Sequence, residues 1–76
     1  MNINELSNNM TNNYNCEFIN TFTYNGDTYI KAIEVGKGFI TYRFFKLNVD
    51  VIEEVLDQEL LSYLRETQTF NSNEEY

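Results

Sequence analysis

The stretch DVIEEVLDQELLSYLRE, residues 50–66, decides how the chain is put together. Val51, Ile52, Val55, Leu56, Leu60, Tyr63 and Leu64 recur at helical spacing and would form one wide apolar stripe. Asp50 is placed to cap the helix, and Glu53, three residues on, completes a start of the capping-box kind. Arg65 falls in the last turn, where a cation suits the helix dipole. The spacing therefore predicts one long C-terminal helix over 50–66. An amphipathic helix needs a surface to cover, and the residues before it supply one.

Residues 16–47 read as three strands. Asn25-Gly26 is a strong hairpin signal, because both central positions of the tight turn require positive φ. Gly36 and Gly38 around Lys37 mark a second turn. The runs between are rich in aromatic and β-branched residues, at about 16–24, 28–35 and 39–47. A two-residue loop at Asn25-Gly26 pairs Tyr24 with Asp27, Phe22 with Tyr29, Asn20 with Lys31 and Phe18 with Ile33. A second two-residue loop at Gly36-Lys37 sets Ile33 opposite Ile40, Lys31 opposite Tyr42 and Tyr29 opposite Phe44. One face then carries Phe18, Phe22, Tyr24, Tyr29, Ile33, Val35, Ile40, Tyr42 and Phe44, a core for the helix. The expectation is an α+β fold: a three-stranded antiparallel β-meander with one long helix packed on one face.

The opposite face is less polar than a solvated sheet requires. It carries Ile19, Ile30, Ala32, Phe39, Phe45 and Leu47 among threonines, Glu34 and Arg43. Two covers fit. One is residues 1–15, an asparagine-rich segment in which Ile3, Leu6 and Met10 recur at spacings of three and four. A short helix and plain disorder both suit that segment. The other cover is a second copy of the chain or a partner, with a homodimer interface at Ile19, Ile30, Phe39 and Phe45. The whole is expected to be a single domain, 1–76, with a β-β-β-α core at 16–66 and a loose acidic tail at 67–76.

Composition narrows function. With five basic and twelve acidic residues the net charge is −7. Such a chain is repelled by nucleic acids and anionic membranes, so neither is an expected direct partner. A single cysteine, Cys16, and no histidine exclude an intramolecular disulfide and the common zinc patterns. No metal or cofactor is expected. The start, MNINELSNNM, lacks a signal-peptide pattern, and the expected location is the cytoplasm. Cys16 has no histidine to activate it, and the paired carboxylates of an exposed helix turn lack the apolar cleft that acid–base work needs. A non-enzymatic role follows.

The acids themselves are the remaining candidate. In a helix over 50–66, Asp50, Glu53, Glu54 and Asp57 lie on the outer side, and Glu59 and Glu66 extend the row. Helical neighbours stand roughly 5–6 Å apart, a sparse imitation of a phosphate row. Acids in a first turn also stabilise a helix through its dipole, which explains Asp50, Glu53 and Glu54 without a partner. Yet only one basic residue, Arg65, stands against eight acids between 47 and 76.

In size, charge, asparagine and tyrosine content and this acidic segment, the chain resembles the small acidic host-takeover proteins of bacteriophages that mimic DNA. That group includes inhibitors of uracil-DNA glycosylase, of CRISPR nucleases and of nucleoid protein HU. The resemblance is one of profile and carries no residue-by-residue correspondence. It implies a basic host DNA-binding protein such as HU as partner, held by Asp50, Glu53, Glu54, Asp57, Glu59 and Glu66. The rival reading is an adaptor that binds a host enzyme, RNA polymerase or a cell-division protein, through the apolar back of the sheet.

Overall fold

A computed structural model describes residues 2–36 and 38–68. The elements are α1 (Ile3–Tyr14), β1 (Cys16–Tyr24), β2 (Asp27–Glu34), β3 (Tyr42–Asn48), β4 (Val51–Glu54) and α2 (Gln58–Gln68). The α+β class is as expected, but the described residues form four strands and two helices. The strands form one antiparallel sheet in the order β1-β2-β3-β4. The helices lie on its two faces and complete three layers.

The asparagines that flank α1, Asn2 and Asn15, sit where their chemistry helps. Asn2 caps the helix: its side chain accepts from the Glu5 N–H at 2.8 Å, and its own N–H donates to Glu5 Oε1 at 2.9 Å. Asn15 ends it in the left-handed conformation, φ 55°, with its N–H on the Met10 carbonyl. Leu6 and Met10 are buried on the sheet, whereas Ile3 remains exposed. Tyr14, one turn beyond Met10, takes the third docking position, with its ring 4.7 Å from that of Phe45.

The first hairpin follows the expected register from Tyr24–Asp27 to Asn20–Lys31, around Asn25 and Gly26 at φ 53° and 81°. A bulge at Ile19 then puts Phe18 opposite Ala32 rather than Ile33. The extra residue turns Phe18 to the α1 side of the sheet, where Cys16 is also buried.

The second hairpin is longer than expected. Ile33 pairs with Tyr42, Lys31 with Phe44 and Tyr29 with Lys46, two residues beyond the predicted partners. Gly38 has φ 73°, outside the range of an extended strand, so the ladder cannot begin at 38. Phe39 and Ile40 therefore belong to the loop and are exposed. A shift of two keeps every side chain on its face, which is why Phe44, Tyr42 and Tyr29 still share one.

The continuous helix over 50–66 does not form. Val49-Asp50 is a two-residue turn, and Val51–Glu54 pairs with β3 through Asn48–Val51, Leu47–Ile52, Lys46–Glu53 and Phe45–Glu54. Three of the five residues 51–55 are β-branched, which favours a strand over a helix turn. The pairing also sets Lys46 across from Glu53. The Val55 N–H continues it to the Phe44 carbonyl at 2.8 Å. The helix starts only after Asp57, whose carboxylate accepts from the Leu60 N–H at 3.2 Å. Asp57, not Asp50, is the cap.

Two half-cores result. Beneath α1 lie Leu6, Met10, Cys16, Ile30, Ala32 and Phe45; beneath α2 lie Tyr29, Phe44, Val55 and Leu64, flanked by Phe22, Tyr24 and Tyr42. Ile30 and Phe45, expected at a subunit interface, have no exposed surface, because α1 covers them. Ile19 is 37 % exposed at the bulge and Phe39 is 70 % exposed in the loop, so these four residues do not make one surface. Residues 69–76 of the expected tail lie outside the described residues, and Thr67 and Gln68 belong to α2.

Candidate functional site

The six acids singled out from the sequence are distributed over three elements. Asp50 is at the tip of the β3–β4 turn, Glu53 and Glu54 are in β4, Asp57 caps α2, and Glu59 and Glu66 are in its first and last turns. Consecutive strand residues point to opposite faces, so Glu53 and Glu54 part company. A phosphate-like row along one helix is not what this backbone builds.

Glu54 is engaged on the α1 side. Arg43 donates to both its oxygens, through Nε and Nη2, each at 2.7 Å, and through Nη1 to Glu34 at 3.2 Å. The guanidinium also lies over the Phe45 ring, 5.7 Å from its centroid. The bidentate hydrogen bonds raise the already high pKa of Arg43. The cluster is half-buried and net negative by one charge, and it joins β2, β3 and β4.

Most of the other acids gather on the α2 side, while Asp50 stays at the tip of the β3–β4 turn. Asp27 from the first hairpin, Glu53 from β4, and Asp57 and Glu59 from the start of α2 line two adjoining grooves that share Tyr29, Asp57 and Leu60. Lys46 is the cation among the residues that line these grooves, 3.4 Å from Asp27 and across the ladder from Glu53, and Arg65 in the last turn of α2 donates to the Tyr42 carbonyl at 3.2 Å. Leu56, counted into the core when read as helical, sits on the same surface and is 70 % exposed. Tyr24 and Tyr63 pack nearby with their rings tilted by 43° and their centroids 5.2 Å apart. Glu59 and Glu66, two helical turns apart, extend this side along α2. The sequence missed Asp27, Tyr24, Tyr63 and Leu56 as members of the surface. Asp27, one residue past the Asn-Gly turn, was the available signal, since the hairpin brings that turn to the end of the sheet where α2 begins.

Lys31 serves structure. It is buried on the α2 face with its Nζ 2.8 Å from the Gln68 carbonyl, where its charge meets the negative end of the helix. It also lies over the Tyr42 ring, and burial lowers its pKa. Burial pushes the Cys16 thiol up, away from the reactive thiolate form. Among the described residues no group of three or more His, Cys, Asp or Glu side chains is placed to hold a metal ion, and no helix is long and apolar enough to cross a membrane. No family model, curated protein or solved structure matches this chain.

Proposed function

We propose that the chain is a non-enzymatic binding protein whose acidic α2 side occupies the DNA-binding surface of a basic host protein such as nucleoid protein HU, as a bacteriophage DNA mimic would. The observation that carries this reading is the composition of that side. In its two grooves Asp27, Glu53, Asp57 and Glu59 surround an exposed leucine and the Tyr24–Tyr63 pair, against one lysine already engaged by an acid; Arg65, farther along α2, donates to the Tyr42 carbonyl. Carboxylates supply long-range attraction to Lys and Arg, which raises the association rate and falls with salt. Tyr63 supplies an aromatic contact of the kind that concentrates affinity at protein interfaces, and Leu56 adds exposed apolar area beside it.

The test is competition with duplex DNA for HU. Glu53→Gln, Glu59→Gln and Glu66→Gln together remove three charges without touching the Asp57 cap or the Arg43–Glu54 pair. The parent should displace DNA at low salt, and the triple variant should do so markedly less well. Equal displacement by both would refute the reading.

The adaptor reading keeps one observation of its own. Val35, Phe39 and Ile40 in the loop between β2 and β3 are all exposed. Salt-resistant capture of RNA polymerase or a cell-division protein, lost in Phe39→Ser, would support it; the back of the sheet, where this contact was first expected, is taken by α1.

A further inference from the structure

We infer that the outer edge of β1 is a self-pairing edge, on which a second copy of this chain docks antiparallel across a two-fold axis at Phe22. The sheet has two edges, and they differ. The β4 edge has four residues and carries Glu53 and Glu54. Short length and charge are the usual means of blunting an edge. The β1 edge has nine residues, CEFINTFTY, with Glu17 its one charged residue and no lysine or proline. Among the described residues no strand pairs with its outer side.

The ladder fixes which groups face outward. In a two-residue hairpin Tyr24 and Asp27 exchange both backbone hydrogen bonds, and such pairs alternate along the strand. Phe22 and Asn20 therefore bond to β2, whereas Thr21 and Thr23 turn their N–H and C=O groups outward. A two-fold axis at Phe22 sets Thr21 opposite Thr23 of the second copy, and Thr23 opposite Thr21. Each pair is then of the hydrogen-bonded type, and the strand satisfies itself with four bonds. The two Phe22 rings become a cross-strand pair that continues the existing stack of Phe22 on Tyr29, whose centroids are 5.7 Å apart. The bulge at Ile19 bends the strand away and ends the match before Glu17.

Charge selects the occupant. Residues 6–26, covering most of α1 and all of β1, contain one charged residue, Glu17. The acids of the α2 side and of β4 belong to the other parts of the fold. Two chains of charge −7 repel on every approach, and least at the edge that carries almost none of that charge. The product is a continuous eight-stranded sheet with β4 at both ends. This inference does not depend on what the acidic side binds.

Sedimentation tests it, with hydrogen exchange as the second reading. The parent should run at twice its 9.0 kDa mass at micromolar concentration. The Thr21 and Thr23 amides should gain protection as concentration rises. Thr21→Pro deletes an outward donor from both copies at a position an edge strand tolerates. It should raise the dimer dissociation constant by at least about tenfold while the far-UV spectrum stays that of the parent. Thr23→Glu, which sets a charge at the same seam, should do likewise and remains informative should the proline variant misfold. A chain monomeric to millimolar concentration, or a dimer indifferent to Thr23→Glu, would overturn the inference. Concentration-independent protection of Thr21 in a monomer would overturn it too, by showing that this chain covers its own edge.

Discussion

Val49 is the residue to change first. It is the first of two turn residues between β3 and β4 and sits at φ 58°, in the left-handed region. A β-branched side chain there is strained by roughly 1–2 kcal/mol, because its Cβ crowds the following carbonyl. The side chain is 81 % exposed, so replacing it forfeits almost no burial. Asparagine tolerates the left-handed region, and Val49→Asn should stabilise the fold by about 1 kcal/mol. Glycine removes the strain fully but frees the unfolded chain by roughly 0.5–1 kcal/mol, so Val49→Gly should gain less. In a domain of this size about 1 kcal/mol moves Tm by roughly 4–8 °C. Thermal unfolding followed by circular dichroism measures it. The experiment also separates the two structures that residues 50–66 could adopt. In a continuous helix capped by Asp50, Val49 would precede the cap in extended backbone and glycine there would cost stability. Lower Tm values for both variants would refute the turn, and β4 with it.

Three further outcomes follow from the core, the cap and the thiol. Phe45→Ala should lower stability by about 3–5 kcal/mol in urea unfolding, because Phe45 has no exposed surface beneath α1; a small effect would mean that α1 does not cover it. Asp57→Ala should lower stability by about 1 kcal/mol through loss of the α2 cap, with helical signal at 222 nm reduced. Cys16 should resist thiol reagents at neutral pH until the chain unfolds. Its folded pKa is raised above the ordinary 9.0, so the folded state holds the proton longer than the unfolded one. That contribution is complete below pH 9 and is lost as pH rises toward the folded value. The urea midpoint of the parent should fall over this range relative to Cys16→Ala.

Turn chemistry was the legible part of this fold. Asn25-Gly26 requires two left-handed residues, and that alone set the register of the first hairpin as far as Asn20. The misreadings share a cause, which is that local signals are degenerate. Gly36 and Gly38 announce left-handed backbone but not loop length, and a shift of two residues leaves the facial pattern intact, so nothing in the pattern objects. Val51, Ile52, Val55 and Leu56 satisfy helical spacing over one turn, yet a strand uses Val51 and Ile52 on opposite faces equally well. The partners that decided it, Phe45 and Leu47 in β3, are visible only once the hairpin has formed. The bulge at Ile19 has no local signature in the sequence, and it moved Phe18 across the sheet.

The acidic site was legible as composition and illegible as geometry, for the same reason. Charge density survives any backbone, whereas a row of charges exists only on the backbone that spaces it. Once β4 replaces the first turns of the supposed helix, Glu54 goes to Arg43, Asp57 goes to the cap, and Glu53 joins Asp27 and Glu59 from distant parts of the chain. The charge that remains for a partner is thus two-dimensional, spread across a sheet edge and a helix start. Such a surface does not copy the axial repeat of a duplex, so on the proposed reading it would meet a basic partner as a patch of charge around Leu56 and Tyr63. Its affinity should therefore depend on Leu56 and Tyr63 as well as on salt. Leu56→Ser tests this in the proposed competition assay with HU: at a salt concentration where the parent displaces DNA, the variant should displace it less well with the charge unchanged. A variant that binds as the parent does would return the whole of the affinity to the carboxylates.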